Sequence, residues 1–343
     1  MSANNPNLVP ADPIEDVPVD QPVAEEHSRE AETVQETPKT GGKRARRGAT
    51  STSQSSRKRP SSRFALVWRR LKRKPNFWIG GVVLGLIILF AIFGNIPNIY
   101  ELGEADPYSF NSPPGAQHWF GTDSIGMDLY ASMVEALRKS LLIGLLAAPA
   151  ATLIAATVGA LAGYLGGWVE MAANWVINLL LVLPVFYVLM IVSPLLSSMS
   201  WLVLVVAIAG FTWMIMAQIV KNQTKSLKDR EYVKAARYMG VGTATILHRH
   251  IIPNVASLLI VDAALGVSGA ILSETALSFF GLGIQPPDVS LGTLISNGQN
   301  AVLTRPWLFL IPAAFLVALL TAVNLIGDAL RDAIDPTSEV NRA

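Results

Sequence analysis

The sequence predicts an all-α membrane protein with six transmembrane helices and a disordered N-terminal tail. Its composition is the first observation: 51% of the 343 residues are hydrophobic and only 15% are charged, whereas soluble domains average roughly 25% charged residues. The second is a series of apolar runs close to or beyond the ~18 residues that mark a membrane-spanning helix. The third is that Lys and Arg concentrate in the N-terminal region and in one long loop.

The N-terminal region predicts no packed core. Residues 1–36 contain nine acids and one base, and residues 37–74 contain fourteen bases and no acid. Such polar, charge-segregated segments bury too little apolar surface to fold. We therefore predict a disordered cytoplasmic tail over 1–60 and a basic, amphipathic juxtamembrane segment over 61–76. Because the basic cluster directly precedes an apolar helix, anionic lipid is a better expected partner than nucleic acid.

Six apolar segments predict the spans. At ~1.5 Å rise per residue, each is near or above the ~30 Å of a hydrocarbon core. Prolines within them are typical of helices whose freed carbonyls find partners in neighbouring helices or in a water-filled cavity. The segments are 77–99, 141–165, 175–193, 201–220, 257–283 and 308–330, and the prolines are Pro149, Pro184 and Pro312.

Basic residues in the loops predict the orientation. With a cytoplasmic N-terminus, the inner segments hold nine bases between Arg57 and Lys74 and seven more in 221–254, whereas the outer loops hold only Arg138, Lys139 and Arg305. The opposite topology would reverse this bias. We therefore expect 100–136 to form an external loop and both termini, including 331–343, to be cytoplasmic.

The second apolar segment carries two periodic patterns. Small residues every four positions predict a close approach to another helix, although alanine could also simply fill a span. Before the span, a leucine-rich pattern with the same spacing predicts an amphipathic lead-in helix, which Asp123 can cap. The small residues are Ala151, Ala155, Gly159 and Gly163, and the lead-in residues are Leu129, Met133, Leu137 and Leu141.

The chain shows no motif for chemistry of its own. It lacks a G-x-x-x-x-G-K-[ST] phosphate loop and a G-x-S-x-G nucleophile elbow. It has no cysteine, and His248 and His250 are two residues apart, which places them on different helix faces. We expect no catalytic residue, no metal site and no bound cofactor, so the energy for any transport would come from another protein.

One polar insert between two apolar segments, residues 231–253, has a recognisable spacing, and we call it the coupling segment. Ala235-Ala236 is followed by three residues, Gly240, nine residues, and then His250-Ile251-Ile252-Pro253, with His250 where the pattern named next has Ile. This resembles the EAA loop of importer-type ABC transporter permeases, with Lys234 in place of the family's Glu. The local chemistry predicts a short helix from Glu231, a positive φ at glycine, and a second helix that Thr243 caps and Pro253 ends.

Three further stretches resemble the C-type permease of peptide ABC importers. They are FGTDSIGMDLYASM (120–133), ILSETALSFFGLGIQPPDVSLG (271–292) and NLIGDALRDAIDP (324–336). Met127 departs from the pattern, which has Arg there. The resemblance runs from about Asp106 to Pro336 and implies a type I ABC importer permease fold, with its core over 137–330.

The resemblance also implies a role and partners. The role would be import of dipeptides or oligopeptides across the bacterial cytoplasmic membrane, in a heterodimer with a homologous B-type permease. Two ATPase subunits would bind ATP and Mg, and an extracytoplasmic binding protein would deliver the peptide. The coupling segment would dock the ATPase through Glu231, Ala235, Ala236, Arg237, Gly240 and Pro253. Nickel or another small solute is the alternative cargo, and a secondary transporter is a further alternative.

Two acids at membrane depth are candidate pathway or gate residues. Asp262 and Glu274 fall in the fifth apolar segment, where a charge costs at least ~2.5 kcal/mol unless it faces a cavity or a partner. Glu274 could meet the amino terminus of a peptide, or it could hydrogen-bond the turn region 281–287. Asp328, by contrast, is expected to form an ion-pair cluster with Arg331 and Asp332 at the cytoplasmic surface.

Overall fold

The computed structural model describes residues 63–96, 100–196 and 200–334, and within these it is built of helices without strands. Four helical stretches are long and apolar enough to cross a membrane, and two bent helix pairs bring the number to six if each pair is one span. The predicted all-helical class is therefore confirmed. The predicted disordered tail over 1–60 lies outside the described residues, as do 335–343.

Twelve α-helices follow one another along the described chain. The long ones are α2, α3, α10 and α12, and α10 continues directly from α9 through a π-helical turn over Leu247–Ile251. The helices are α1 (Arg63–Leu71), α2 (Pro75–Phe93), α3 (Leu129–Leu165), α4 (Gly167–Val182), α5 (Val185–Leu196), α6 (Trp201–Thr212), α7 (Met214–Lys228), α8 (Glu231–Tyr238), α9 (Thr243–Ile246), α10 (Ile252–Phe279), α11 (Leu291–Gln299) and α12 (Trp307–Ile334).

The lead-in helix predicted before the second span is continuous with it. α3 begins at Leu129, inside the segment expected to be an external loop, and its four leucine-rich lead-in positions are all buried. The predicted cap is wrong: Asp128 caps α3 by accepting from the Ala131 N–H at 2.9 Å, whereas Asp123 accepts from Ile125 and Met127 within the preceding turn. Both carboxylates satisfy free N–H groups, but only Asp128 adjoins the helix.

A buried histidine fixes the start of α3 to the loop that precedes it. The Nδ1 atom of His118 lies 2.9 Å from Oδ2 of Asp128, and its Nε2 lies 3.5 Å from Oδ2 of Asp106. The Tyr100 ring stacks on the imidazole. The Tyr108 N–H donates to Asp106 and holds the pKa of that carboxyl below its usual value. The loop is therefore an ordered structure that clamps one end of α3.

Two predicted spans are broken helices. α4 and α5 meet at 82° and α6 and α7 at 47°, where the sequence predicted one span over 175–193, with a proline inside it, and one over 201–220. Pro184 stands at the first break and cannot donate to the helix ladder. At the second break, Trp213 turns its indole back to donate to the Gly210 carbonyl at 2.9 Å.

Close packing of α3 against α7 forms the centre of the fold. All four residues of the small stripe on α3 are buried. A Cβ placed on Gly159 would lie 2.5 Å from the Ala217 carbonyl oxygen, and one on Gly163 would lie 2.5 Å from that of Lys221. The predicted close approach is therefore confirmed, and its partner is α7, the helix that leads into the coupling segment.

This contact gives a testable prediction. Gly159→Leu should destabilise the protein by about 1–3 kcal/mol, since the added side chain would overlap the α7 backbone. The measurement is thermal unfolding of the purified protein in detergent. Gly81→Leu is the matched control, because a Cβ at this exposed glycine of α2 meets nothing within 4 Å. Equal stability of the two variants would contradict the packing.

Candidate functional site: the coupling segment and the opposite end of the helices

The coupling segment folds as two short helices joined by a tight turn. α8 ends in a Schellman motif, in which the Val241 N–H donates to the Ala236 carbonyl at 3.1 Å and the Gly240 N–H donates to that of Arg237 at 3.0 Å. This geometry requires a left-handed residue after the helix, and Gly240 has φ +79°. The positive φ predicted for Gly240 and Gly242 is therefore present at Gly240 but not at Gly242, where φ is −64°.

The two neighbouring alanines of the resemblance lie on different faces of α8, one buried and one exposed. Val233 and Ala236 are buried in a cluster with residues of α7, α9 and the π-helical turn, whereas Ala235 is exposed. With 100° between successive residues, Glu231, Ala235 and Tyr238 share the exposed side of α8. We call these three residues the α8 outer face. It combines a small central residue with a tyrosine that is 89% exposed.

The remaining docking candidates surround this face. Arg237 is exposed in the last turn of α8, where a cation complements the carbonyl end of the helix. Met239, which follows α8, is 77% exposed. Sequence reasoning overlooked Tyr238 and Met239, although two large apolar side chains at the end of a polar helix are the usual sign of a contact surface.

Pro253 does not end a helix, which corrects the prediction. The chain passes from α9 through the π-helical turn into α10, and Pro253 occupies the first turn of α10. The Ile252 N–H bonds to the Leu247 carbonyl five residues back. This wide turn relieves the contact that a proline ring makes with the carbonyl four residues before it. Thr243 likewise makes no side-chain cap, and Gly242 stands at the cap position.

Polar contacts tie α8 and the π-helical turn to the start of α10. The Asn254 amide donates to the His250 carbonyl at 2.6 Å and to the Tyr232 hydroxyl at 3.3 Å. On the apolar side, Val233, Ile246 and Ile251 join a buried cluster with residues of α7 and α3. A force applied to α8 would therefore reach both of these helices through buried contacts.

At the other end of α10, Glu274 organises the loop that leads to α11. It is fully buried, and its Oε1 accepts from the hydroxyls of Ser278 and Ser290, both at 2.6 Å. Ser290 also caps α11 by accepting from the Thr293 N–H. The carboxylate thus holds the two ends of the loop 280–290 through hydroxyl groups, whereas the alternative considered from the sequence was a hydrogen bond to the backbone of 281–287. Its role in a pathway stays a prediction.

The structure does not bring the two membrane acids together. Asp262 lies midway along α10 and accepts from the Thr152 hydroxyl of α3 at 2.6 Å, so it contacts a different helix from Glu274. The predicted cluster of Asp328, Arg331 and Asp332 has a different partner, since Asp332 pairs with Lys74 at 3.0 Å. Asp328 itself is exposed.

A buried lysine, Lys139, also holds the loop 280–290. From the sequence, this residue was counted only among the charges of the outer loops. Nζ of Lys139 on α3 lies 2.9 Å from Oδ1 of Asp288 and 4.9 Å from the centre of the Trp201 ring at the start of α6. Lys139 is only 9% exposed. This contact joins α3, α6 and the loop 280–290 at the end of the molecule opposite the coupling segment.

Two cavities, of about 570 Å³ and 430 Å³, lie between the turn 123–127 and α11 at this end. Both are lined by Asp123, Met127 and Asn297. Met127, which stands where the resemblance has Arg, therefore places an apolar side chain between them. The lining is rich in amide and hydroxyl groups, which both donate and accept hydrogen bonds.

The broken spans, the small-residue helix contact and an exposed two-helix segment define a polytopic membrane transport component. Residues 155–339 match the family described as binding-protein-dependent transport system inner membrane component, and residues 62–114 match the N-terminal TM domain of oligopeptide transport permease C. The chain belongs to the first of these families, and it is a multi-pass membrane permease component.

Named relatives agree with this membership. The oligopeptide transport system permease proteins OppC of Mycobacterium tuberculosis and Mycobacterium bovis are each 48% identical over 281 residues, 81% of this chain and 96% of theirs. A putative peptide permease protein of Brucella suis is 37% identical over 268 residues, 77% of this chain and 88% of its own. The dipeptide transport system permease protein DppC of Alkalihalophilus pseudofirmus is 33% identical over 270 residues, 78% and 88% of the two chains.

The turn between the short helices gives a prediction. Gly240→Ala should lower the local stability of α8 by about 1–2 kcal/mol, because an L-residue resists a left-handed backbone. Hydrogen exchange of the amides at 240 and 241 measures this. Gly242→Ala is the matched control, since Gly242 has φ −64° and its added Cβ would meet open space. Equal protection in both variants would be inconsistent with a conformational role for Gly240.

The buried lysine gives another. Lys139→Met keeps most of the side-chain volume but leaves Asp288 without its cation, so the loop 280–290 should exchange amide hydrogens faster and thermal stability should fall. Removing one member of a fully buried ion pair costs about 3–5 kcal/mol of stability. Because the Asp288 side chain is 41% exposed, we expect the loss in Lys139→Met to be smaller than this. If Lys139→Met and the double variant Lys139→Met/Asp288→Asn are both as stable as the parent, the pair does not hold the loop.

Proposed function

We propose that this chain is the membrane-spanning permease subunit of an ABC importer for dipeptides or oligopeptides. The observation that carries the proposal is the coupling segment: a rigid two-helix unit with an exposed face and a buried attachment to α7. The names of the relatives supply the substrate class, since oligopeptide and dipeptide permeases are among them.

In our proposal, the energy for transport comes from other subunits. Two ATPase subunits, which bind ATP and Mg, dock on the coupling segments of this permease and of a homologous B-type permease. The orientation that suits this places both termini and the coupling segment in the cytoplasm, in agreement with the positive-inside bias of the sequence. The α8 outer face is the contact, with Arg237, Gly240 and Pro253 around it.

The geometry supports a mechanical transfer. When the ATPases close, α8 moves and carries α7, because Ala236 and Val233 are packed among α7 side chains. α7 in turn packs on α3 at Gly159 with almost no space between the backbones. Packed cores shift as units, so this displacement would turn the helices that enclose the pathway.

At the opposite end, an extracytoplasmic binding protein would deliver the peptide. The loop 280–290, held by Glu274 and Lys139, lines the 430 Å³ cavity at that end. In our proposal, loosening of this loop opens the pathway and uncovers the buried Glu274, so that a peptide amino terminus can reach Glu274 and Asp262. The second permease completes the enclosure.

Nickel is the alternative cargo, and a secondary transporter is the more distant alternative. The peptide names of the relatives favour peptide over nickel. Membership in a binding-protein-dependent transport family favours the ABC mechanism over ion coupling. Uptake of labelled dipeptide and of ⁶³Ni²⁺ by the reconstituted complex separates the two cargoes.

The docking role can be tested on one side chain. Tyr238→Ala should leave the fold intact, because the side chain is 89% exposed, and should weaken ATPase binding by about 2 kcal/mol or more, as truncation of a central aromatic contact does. The measurement is the affinity of the ATPase for the permease pair in nanodiscs, together with peptide-stimulated ATP hydrolysis.

Tyr108→Ala is the matched control for this experiment. Tyr108 is a second tyrosine of nearly equal exposure, 95%, in the loop before α3 at the opposite end of the molecule. We expect its removal to leave ATPase affinity unchanged. If Tyr238→Ala binds the ATPase as tightly as the parent protein does, the α8 outer face is not part of the interface.

A further inference from the structure

A cluster of cations lies at the junction of α1 and α2, apart from the coupling segment. Arg69 is on α1, and Lys72 and Arg73 follow in the turn that leads to α2; all three are exposed. We call these three residues the basic corner. The transport mechanism proposed above assigns no role to these three cations.

The basic corner is held rigidly on α12. Leu71 is buried against Ala329 and Ala333, and the Lys74 ammonium pairs with Asp332 at 3.0 Å. These contacts use the side of α1 that faces the protein. They leave the exposed bases directed outward, at the edge of the helix bundle.

Indole rings place this corner at the boundary of the hydrocarbon layer. Trp68 and Trp78 are 44% and 54% exposed, and both pack edge-to-face on Phe77. The Trp78 indole donates to the Lys72 carbonyl at 3.0 Å. Such amphipathic rings prefer the membrane–water interface. Beyond Trp78, α2 exposes large apolar side chains typical of a lipid-facing surface, namely Ile79, Val82, Leu86, Leu89 and Phe93.

The basic corner has no acidic partner within the described part of the chain. Neither Arg69 nor Arg73 forms an ion pair there, and the Lys72 ammonium lies 5.1 Å from the centre of the Trp68 ring. Three cations thus lie beside indole rings of the kind that prefer the membrane–water interface, where the lipid phosphates are found. Guanidinium groups bind phosphate oxygens in bidentate fashion.

We propose that the basic corner is a binding site for the headgroup of an anionic phospholipid. The bound lipid would bridge α1 and the start of α2, and would thereby brace the contact of this corner with α12. A membrane lipid is favoured over a free phosphate because the indoles and the apolar surface of α2 continue directly from the cations into the hydrocarbon layer. The inference goes beyond transport and does not depend on the substrate.

The test compares lipid preference in variants of the assembled transporter. The complex is reconstituted in nanodiscs of phosphatidylcholine with a minor fraction of phosphatidylglycerol, and the lipids that remain bound are counted by native mass spectrometry. Arg69→Gln/Arg73→Gln should lower the enrichment of phosphatidylglycerol by about fivefold for each base removed. Arg69→Lys/Arg73→Lys keeps the charges and should retain most of the enrichment.

Three results would overturn the proposal. The first is a parent protein that holds phosphatidylglycerol no better than phosphatidylcholine, and the second is full enrichment in the glutamine variant. The third is displacement of the lipid by inorganic phosphate, which would indicate a site for a free anion. Peptide uptake by the glutamine variant in phosphatidylcholine is measured in parallel, so that a failure of the lipid site is distinct from a failure of the transport function.

Discussion

The contact between α3 and α7 is the constraint on which the rest of the structure depends. Helices in lipid gain little from hydrophobic burial against each other and associate through close van der Waals contact instead. Gly159 and Gly163 permit that contact, since any side chain at either position would strike the α7 backbone. α7 leads into the coupling segment, so the position of α8 is fixed through this packing.

The two ends of the helices are built differently. At the coupling end, apolar burial of Val233, Ala236 and Ile246 joins the short helices to α7, and the result suits the transmission of force. At the other end, the loop 280–290 is held by hydroxyl contacts to Glu274 and by the Lys139–Asp288 pair. Polar contacts of this kind exchange readily for water or substrate, whereas a packed apolar seam does not.

Much of the architecture could be predicted from the sequence because its signals are local. Apolar runs, the small stripe and the glycine after α8 each depend on neighbours within a few turns. The failures involve contacts from farther along the chain. Asp128 caps α3 where Asp123 was expected, and His118 and Asp106 hold Asp128 in place. Lys139 and Asp288 are 149 residues apart, so no local pattern could pair them.

Two further differences show where local rules are overridden. Proline normally ends a helix, but the π-helical turn before Pro253 lets the chain continue into α10. The bend at Trp213 has no proline or glycine at the break itself, and the indole contact that marks it is visible only in three dimensions. The exposed side of α8 could have been predicted from helical periodicity, since Tyr238 lies seven residues after Glu231 and three after Ala235.

Cross-linking from the α8 outer face tests the central claim most directly, because the chain contains no native cysteine. Tyr238→Cys and, as a control from the opposite end, Tyr108→Cys each carry a short photoactivatable cross-linker in the assembled transporter. We predict an adduct between position 238 and the ATP-hydrolysing subunit, and none from position 108. Labelling of position 238 by an impermeant maleimide added outside intact cells, or an absence of ATPase adducts there, would contradict the account.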